Sequence, residues 1–296
     1  MQDKFGVNLR RLIISALFLA IALVMRQFFS LYLPLFGENS MRIGVAGIFT
    51  RMPAVLFGPV WGAMVSGLND VLGFMLRPMG AYLPHLTFTA ASGGFLCGLV
   101  WLLLRKRDPR KIRLIVLILS VSFVAFGLAN WIVLRIDGIT SDFFYNLADA
   151  DAELSGMFII SRWIITRAEA AGNPTAMLST MVTTFTRAFI WAGILGLLLY
   201  GIDILMSSFL KKDYEEYTSI MPLLIAMLVA AWWQSTLNTI VFRNTIWQES
   251  LGLLPFVTVW LPRIIQSTIT TTVYTYFVAL MLGVCKRQRW LRRYLR

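Results

Sequence analysis

Apolar runs close to the roughly 20 residues needed to cross a bilayer recur from one end of this chain to the other, and nothing constrains its folding more. In hydrocarbon every backbone N–H and C=O has to be satisfied internally, which leaves helices or a closed barrel. The runs are too long and too continuously apolar for barrel strands, and the period-two alternation of such strands is absent. The expected fold is therefore all-α, a polytopic membrane helical bundle of about eight transmembrane helices. Composition agrees. Of the 296 residues 58% are hydrophobic and 14% charged, whereas a soluble domain carries about 25% charged. No polar stretch is long enough for a separate soluble domain.

The net charge of +12 raises the question of nucleic acid, but its distribution points elsewhere. Seventeen of the 27 basic residues fall in four places: Lys4, Arg10 and Arg11; Arg105 to Arg113; Lys211 and Lys212; and Lys286 to Arg296. Each place flanks an apolar segment, and together they mark every second loop. That is the positive-inside pattern, with both termini expected in the cytoplasm. The basic tail is read as touching the anionic leaflet and not nucleic acid. The first apolar segment is long and lacks a small-residue cleavage site, so it is read as a retained helix.

Two cysteines, Cys97 and Cys285, and a single histidine, His85, give no disulfide framework and no metal-ligand spacing. A multi-histidine metal site is set aside, and so is a Ser-His-Asp relay unless His85 supplies it. The acidic residues Asp137, Asp142, Asp149, Asp151 and Glu153 match no calcium loop. No metal and no cofactor is expected.

In chain order, the first helix (12–29) carries Ala16 and Ala20, a small-xxx-small pair that lets another helix approach closely. Arg26 near its end either snorkels or points into a site. After a loop at 33–41 comes helix 2 (43–57), which ends at Gly58-Pro59. Helix 3 (60–76) starts at once from that turn. Gly62, Ser66 and Asp70 recur at steps of four along it and are expected to face protein. A central arginine or aspartate costs about 2.5–3.5 kcal/mol in a membrane helix, so Arg51 and Asp70 need partners. They lie about 10 Å and 16 Å from the turn, and a buried ion pair or shared polar network between them is expected. The rival reading is that Arg51 binds an anionic substrate. A Pro- and Gly-rich loop (77–84) leads to helix 4 (86–104).

These residues carry a resemblance. Arg42-Ile43-Gly44, Leu56-Phe57-Gly58-Pro59-Val60-Trp61-Gly62, Gly67-Leu68-Asn69-Asp70, Pro78 to Pro84 and Thr87-Phe88-Thr89-Ala90-Ala91 are similar to the folate-type substrate-binding (S) components of energy-coupling factor (ECF) transporters. The likeness resumes at Leu237-Asn238-Thr239 and Leu261-Pro262-Arg263. It covers about two thirds of the chain, in two blocks. The chain departs from the pattern at His85, where the family has glycine, and at Arg51, where it has an apolar residue. It also carries an added segment. The resemblance thus implies three parts: 1–110 as the N-terminal half of the core (helices 1–4), 111–210 as an inserted helical hairpin, and 211–296 as the last two helices and basic tail. Six helices form the core and two are inserted.

The insert reads as helix 5 (114–134), an outer loop and helix 6 (181–209). In the loop, Asp151, Ser155, Arg162, Thr166 and Glu169 line one side of an amphipathic helix, opposite Met157, Ile160, Trp163 and Ile164. A lid over the site and a structural cover stay open as readings of it. Asp203 is placed near the cytoplasmic end of helix 6, where it needs no explanation. Helix 7 (220–242) presents Gln234 and Asn238 on one inward polar face. Helix 8 (256–284) carries Arg263 and Gln266, then a threonine-rich run.

The polar residues of four joints converge on the outer side: Arg42, Arg77, Tyr82, His85, Asn238, Arg243, Trp247, Arg263 and Gln266. The substrate-binding set expected from them is Arg42, Arg77, Tyr82, His85, Asn238, Arg263 and Gln266. Arginine offers fork geometry to carboxylates and tyrosine a stacking face, which suits a flat ring system bearing carboxylate. The resemblance implies capture of a vitamin-like solute, folate or a related pterin first, at the outer face of a prokaryotic cell membrane. It implies docking through Ala16 and Ala20 on a transmembrane coupling protein with two ATPase subunits. The chain itself lacks a phosphate-binding loop and is not expected to be an enzyme. The alternative is a secondary transporter of a small anionic solute, which usually shows two related halves; no internal repeat is evident.

Overall fold

The computed structural model describes residues 2–35, 38–78, 82–133, 187, 189–205, 220–246 and 256–287. The described residues hold eight helices: α1 (Gln2–Phe28), α2 (Ala46–Phe57), α3 (Pro59–Leu76), α4 (Pro84–Leu104), α5 (Pro109–Val133), α6 (Phe189–Leu205), α7 (Met221–Thr245) and α8 (Phe256–Arg287). Five of them, α1, α4, α5, α7 and α8, are long and apolar enough to cross a membrane. Large apolar side chains such as Leu17 (60% exposed) and Phe88 (69%) sit on the outside of the helices, as lipid-facing side chains do. The molecule is a polytopic helical membrane protein. The expected amphipathic helix around Asp151–Glu169, Trp247 and the basic tail lie outside the described residues.

One expectation is corrected. The segment read as a loop at 33–41 takes part in an antiparallel hairpin, β1 (Ser30–Leu35) with β2 (Glu38–Gly44), Ser30 opposite Gly44 and Leu35 opposite Glu38. Leu31, Leu33 and Leu35 alternate at period two, a strand signal that Pro34 masks. Proline cannot donate to a ladder, and the register is irregular between Leu33 and Leu35.

The chain divides into two compact units, one joining Met1–Pro109 with Ser207–Arg296 and the other spanning Arg110–Met206. In the first, α3 packs on α4, α4 on α7, α7 on α8 and α8 back on α2, which closes the ring against α3; α1 leans on α2 and α3 from outside. The α3–α4 seam is nearly backbone on backbone. A Cβ on Gly94 would lie 2.2 Å from the Gly62 carbonyl oxygen, and one on Gly98 would lie 2.7 Å from Pro59 Cα. Glycine is what permits that approach. At the α2–α3 joint Gly58 holds φ +100°, a region L side chains avoid, and Pro59 opens α3. Tryptophan N–H groups tie the second pair: Trp232 Nε1 donates to Thr268 Oγ1 at 2.8 Å and Trp260 Nε1 to Thr236 Oγ1 at 2.8 Å.

In the second unit, α5 meets α6 through Phe123 and Phe126, whose rings lie 5.7 and 5.2 Å from that of Phe189. Gly193 and Gly196 leave room for Val124 and Ser120. Arg113 Nε donates to Asp203 Oδ2 at 2.6 Å, and the Asp203 side chain is 1% exposed. Asp203 is thus a buried partner, not an interfacial carboxylate.

Candidate functional site

A cavity of about 530 Å³ opens inside the first unit. Its wall draws on α1, both ends of the hairpin, α2, α3, α4, α7 and α8. Chain segments on either side of residues 110–206 therefore build one space. Among the described residues four arginines line it (Arg26, Arg51, Arg77 and Arg263) against a single carboxylate, Asp70. Aromatic surface comes from Phe74, Tyr82, Phe242 and Tyr274.

Where α3 ends and α4 begins, the polar groups form a chain. Arg26 Nη1 donates to the Asn69 carbonyl at 2.8 Å and faces Asp70 Oδ1 at 3.4 Å. Gly73 gives it room, since a Cβ there would sit 2.5 Å from the guanidinium. Asp70 Oδ2 accepts from Thr87 Oγ1 at 2.9 Å. Thr87 has one hydroxyl proton and gives it to the carboxylate, so Tyr82, whose hydroxyl is 2.8 Å away, is the donor to Thr87. The Tyr82 ring rests 5.1 Å from that of Phe74. Arg26 thus points inward and does not merely snorkel.

Across the cavity, Thr89 Oγ1 donates to Asn238 Oδ1, joining α4 to α7. Arg263 is buried at 8% exposure, with its guanidinium carbon 5.1 Å from the centre of the Phe242 ring. That is cation–π distance. Tyr274 donates its hydroxyl to the Gly44 carbonyl and so fastens α8 to the end of the hairpin. The threonines below Arg263 are largely turned back on their own helix: Thr268, Thr270, Thr272 and Thr275 each donate to a carbonyl one turn earlier.

Of the residues expected at the site, Arg77, Tyr82, Asn238, Arg263 and Gln266 line this cavity. His85 sits exposed on the first turn of α4 and is not among the lining residues. Arg42 stands on β2 opposite Tyr32; its side chain lies outside the described residues. Arg243, half-buried near the end of α7, does not line the cavity. Ala16 and Ala20 are exposed on α1. The expected Arg51–Asp70 pair is corrected. Arg51 Nη2 donates to Gln234 Oε1 at 2.7 Å, while Asp70 is engaged by Arg26 and Thr87. Height along α2 and α3 alone does not decide the partners, because α1 and α7 stand closer. Sequence reasoning missed Asn69, Phe74 and Tyr274. Nothing marks Tyr274 inside its threonine-rich run, but Asn69 sits beside Asp70 in an otherwise apolar helix.

Comparison with known proteins now bears on this cavity. Residues 6–152 match the family model of the ECF-type riboflavin transporter, S component. Over 110 residues the chain is 32% identical to the folate transporter FolT of Clostridium novyi (strain NT), a match covering 37% of this chain. The chain resembles the S components of ECF transporters. It spans 60% of the length of that curated relative. No solved structure gives a significant match. Within the S-component likeness, all of the lining on α1–α4 falls inside the matched residues 6–152, whereas Asn238, Arg263 and Gln266 fall beyond them.

Proposed function

We propose that this chain is the membrane-embedded capture subunit of an ECF-type vitamin importer. It binds a folate- or pterin-like solute, or another vitamin-like one, from outside the cell and has no catalytic role of its own. The observation that carries the reading is the cavity, sized for a small molecule and lined by four arginines, one carboxylate and four aromatic rings. Such a lining favours a flat ring system with acidic substituents. The matched relatives support it: one is named for folate and the family model for riboflavin. In this reading Arg42, Arg77, Tyr82, Asn238, Arg263 and Gln266 contact the solute, and the cavity mouth faces outward with both termini in the cytoplasm. The exposed Ala16 and Ala20 face of α1 docks on a transmembrane coupling protein that carries two ATPases. Residues 111–210 are an insert in a six-helix core.

The test is direct. The purified full chain, screened by thermal shift against folate, riboflavin and other vitamins, is stabilised by at least one of them and binds it without partner subunits. Solute accumulation by vesicles holding this chain alone, with no ATP, would instead make it a secondary transporter. Ala16→Trp is expected to block co-purification with the coupling protein while ligand binding stays as in the unmodified chain. Loss of ligand binding in that variant counts against the docking role.

A further inference from the structure

The cavity holds buried polar atoms that the protein leaves without partners. Among the described residues these include Arg51 Nη1, Ser66 Oγ and Asn69 Oδ1, and all three residues line the cavity. Orphaned polar atoms in a native interior are few, and each calls for a cause. Here they gather in one space. Ser66 and Asn69, one turn apart on α3, are buried at 6% and 7% exposure and share a helix face. Arg51 reaches the same cavity from α2. Its Nη2 lies 3.3 Å from the position a Cβ on Gly93 would take. Gly93 is nine residues into α4 from Pro84, so Arg51 sits about 13 Å along that helix, toward the middle of the bundle.

The partner Arg51 does have is neutral. Gln234 accepts one N–H at 2.7 Å, and no described carboxylate meets the guanidinium. Asp70 is taken by Arg26 and Thr87. A cation at such depth, facing the cavity with an unused N–H, is arranged for an anion that arrives from outside the chain.

We propose that Arg51, with Ser66 and Asn69, forms a deep subsite that receives an anionic oxygen of the captured solute, a carboxylate or a phosphate. Arg51 Nη1 and the Ser66 hydroxyl donate to that oxygen, and Asn69 Oδ1 accepts from an N–H or O–H of the same solute. The acidic group enters first, and the ring system remains nearer Phe74 and Tyr82. Arg51 is then a specificity-determining residue. The inference rests on the capture reading and deepens it.

The experiment measures Kd of the purified full chain for two pairs of probes that differ in acidic groups: folic acid against its dimethyl ester, and flavin mononucleotide against riboflavin. In at least one pair the acidic member binds about tenfold tighter or more, and Arg51→Gln brings the two members to within about twofold of each other. The pair that responds tells carboxylate from phosphate. Arg51→Lys keeps part of the preference, because the charge remains but the fork is lost. Melting of the empty protein separates recognition from bracing: Arg51→Gln melts at the same temperature as the unmodified chain or higher. A lowered melting temperature with equal weakening of both members makes Arg51 a brace and overturns the proposal. So does a preference that survives Arg51→Gln or vanishes only in Arg263→Gln. Equal binding of acidic and neutral members overturns it while leaving the capture reading standing. Failure of all four probes to bind, in a chain that binds another, uncharged vitamin, also overturns the deep anion site alone; failure of every vitamin overturns both.

Discussion

Arg113 in the second unit and Arg51 in the first are both arginines on strongly apolar helices, and they differ in what meets them. Arg113 lies 2.6 Å from the buried carboxylate of Asp203. Arg51 has a neutral amide on Nη2 and, among the described residues, no partner on Nη1. A buried pair is closed: its charges satisfy each other and hold two helices in register. A buried cation facing a cavity is open, and its unsatisfied N–H is a standing cost to the empty protein. On the role proposed above for Arg51, the two units use the same residue type for opposite ends, one for holding helices together and the other for receiving a solute. Charge on an apolar helix does not by itself tell structure from function. The partner does.

The largest effect expected follows from opening the closed pair. Arg113→Leu takes the arginine away from Asp203, 1% exposed, and removing one member of a buried pair costs about 3–5 kcal/mol. Thermal unfolding of the purified protein should show a clear drop in melting temperature. Replacing both residues with leucine should restore most of it, since a well-packed apolar pair of similar volume is often neutral. A double variant as unstable as the single one would mean that the pair is not what joins α5 to α6.

The helix seams allow a second contrast. Alanine at Gly94 sets its Cβ 2.2 Å from the Gly62 carbonyl oxygen, and backbone cannot step aside; alanine at Gly196 meets the Ser120 hydroxyl at 2.1 Å, and a hydroxyl can rotate. Gly94→Ala should therefore cost about 1–3 kcal/mol as overpacking does. Gly196→Ala should cost no more than about 1 kcal/mol, the price of breaking the Ser120 bond to the Val116 carbonyl. Equal losses at the two sites would show that the α3–α4 seam can open.

How much of this was legible beforehand follows the same line. The helices were, because hydrocarbon admits few other structures and the apolar runs mark them one by one. Five residues of the cavity lining were as well: Arg77, Tyr82, Asn238, Arg263 and Gln266 stand out as polar at the outer joints of apolar segments, and a shared side of the bundle brings them together. Pairing was not. Arg51 and Asp70 looked like partners because α2 and α3 are sequence neighbours, but partner choice depends on helices far away in sequence. Arg26 is 44 residues from Asp70 and Gln234 is 183 from Arg51. Asp203 was misjudged for the same reason, its partner lying 90 residues earlier. The hairpin escaped because proline and an apolar alternation gave conflicting signals over a few residues.

Between the closed Arg113 pair and the open Arg51 stands Arg26. Its carboxylate partner is at 3.4 Å against 2.6 Å for Arg113, and Asp70 is 23% exposed where Asp203 is 1%, so water shares the work of satisfying that carboxylate. A pair of that kind contributes about 0–1 kcal/mol. Asp70→Asn should therefore lower stability by no more than about 1 kcal/mol, because the amide oxygen still accepts from Thr87 and Arg26 keeps the Asn69 carbonyl. The informative measurement is a double-mutant cycle with Arg26→Met, read by thermal unfolding. A coupling below about 1 kcal/mol places Arg26 with half-solvated pairs at the edge of the cavity. A coupling as large as that of Arg113 with Asp203 would mean that the space between α1 and α3 is as dry as the α5–α6 seam. Asp70 would then be a closed structural partner, leaving the cavity with no described carboxylate able to turn toward a bound solute.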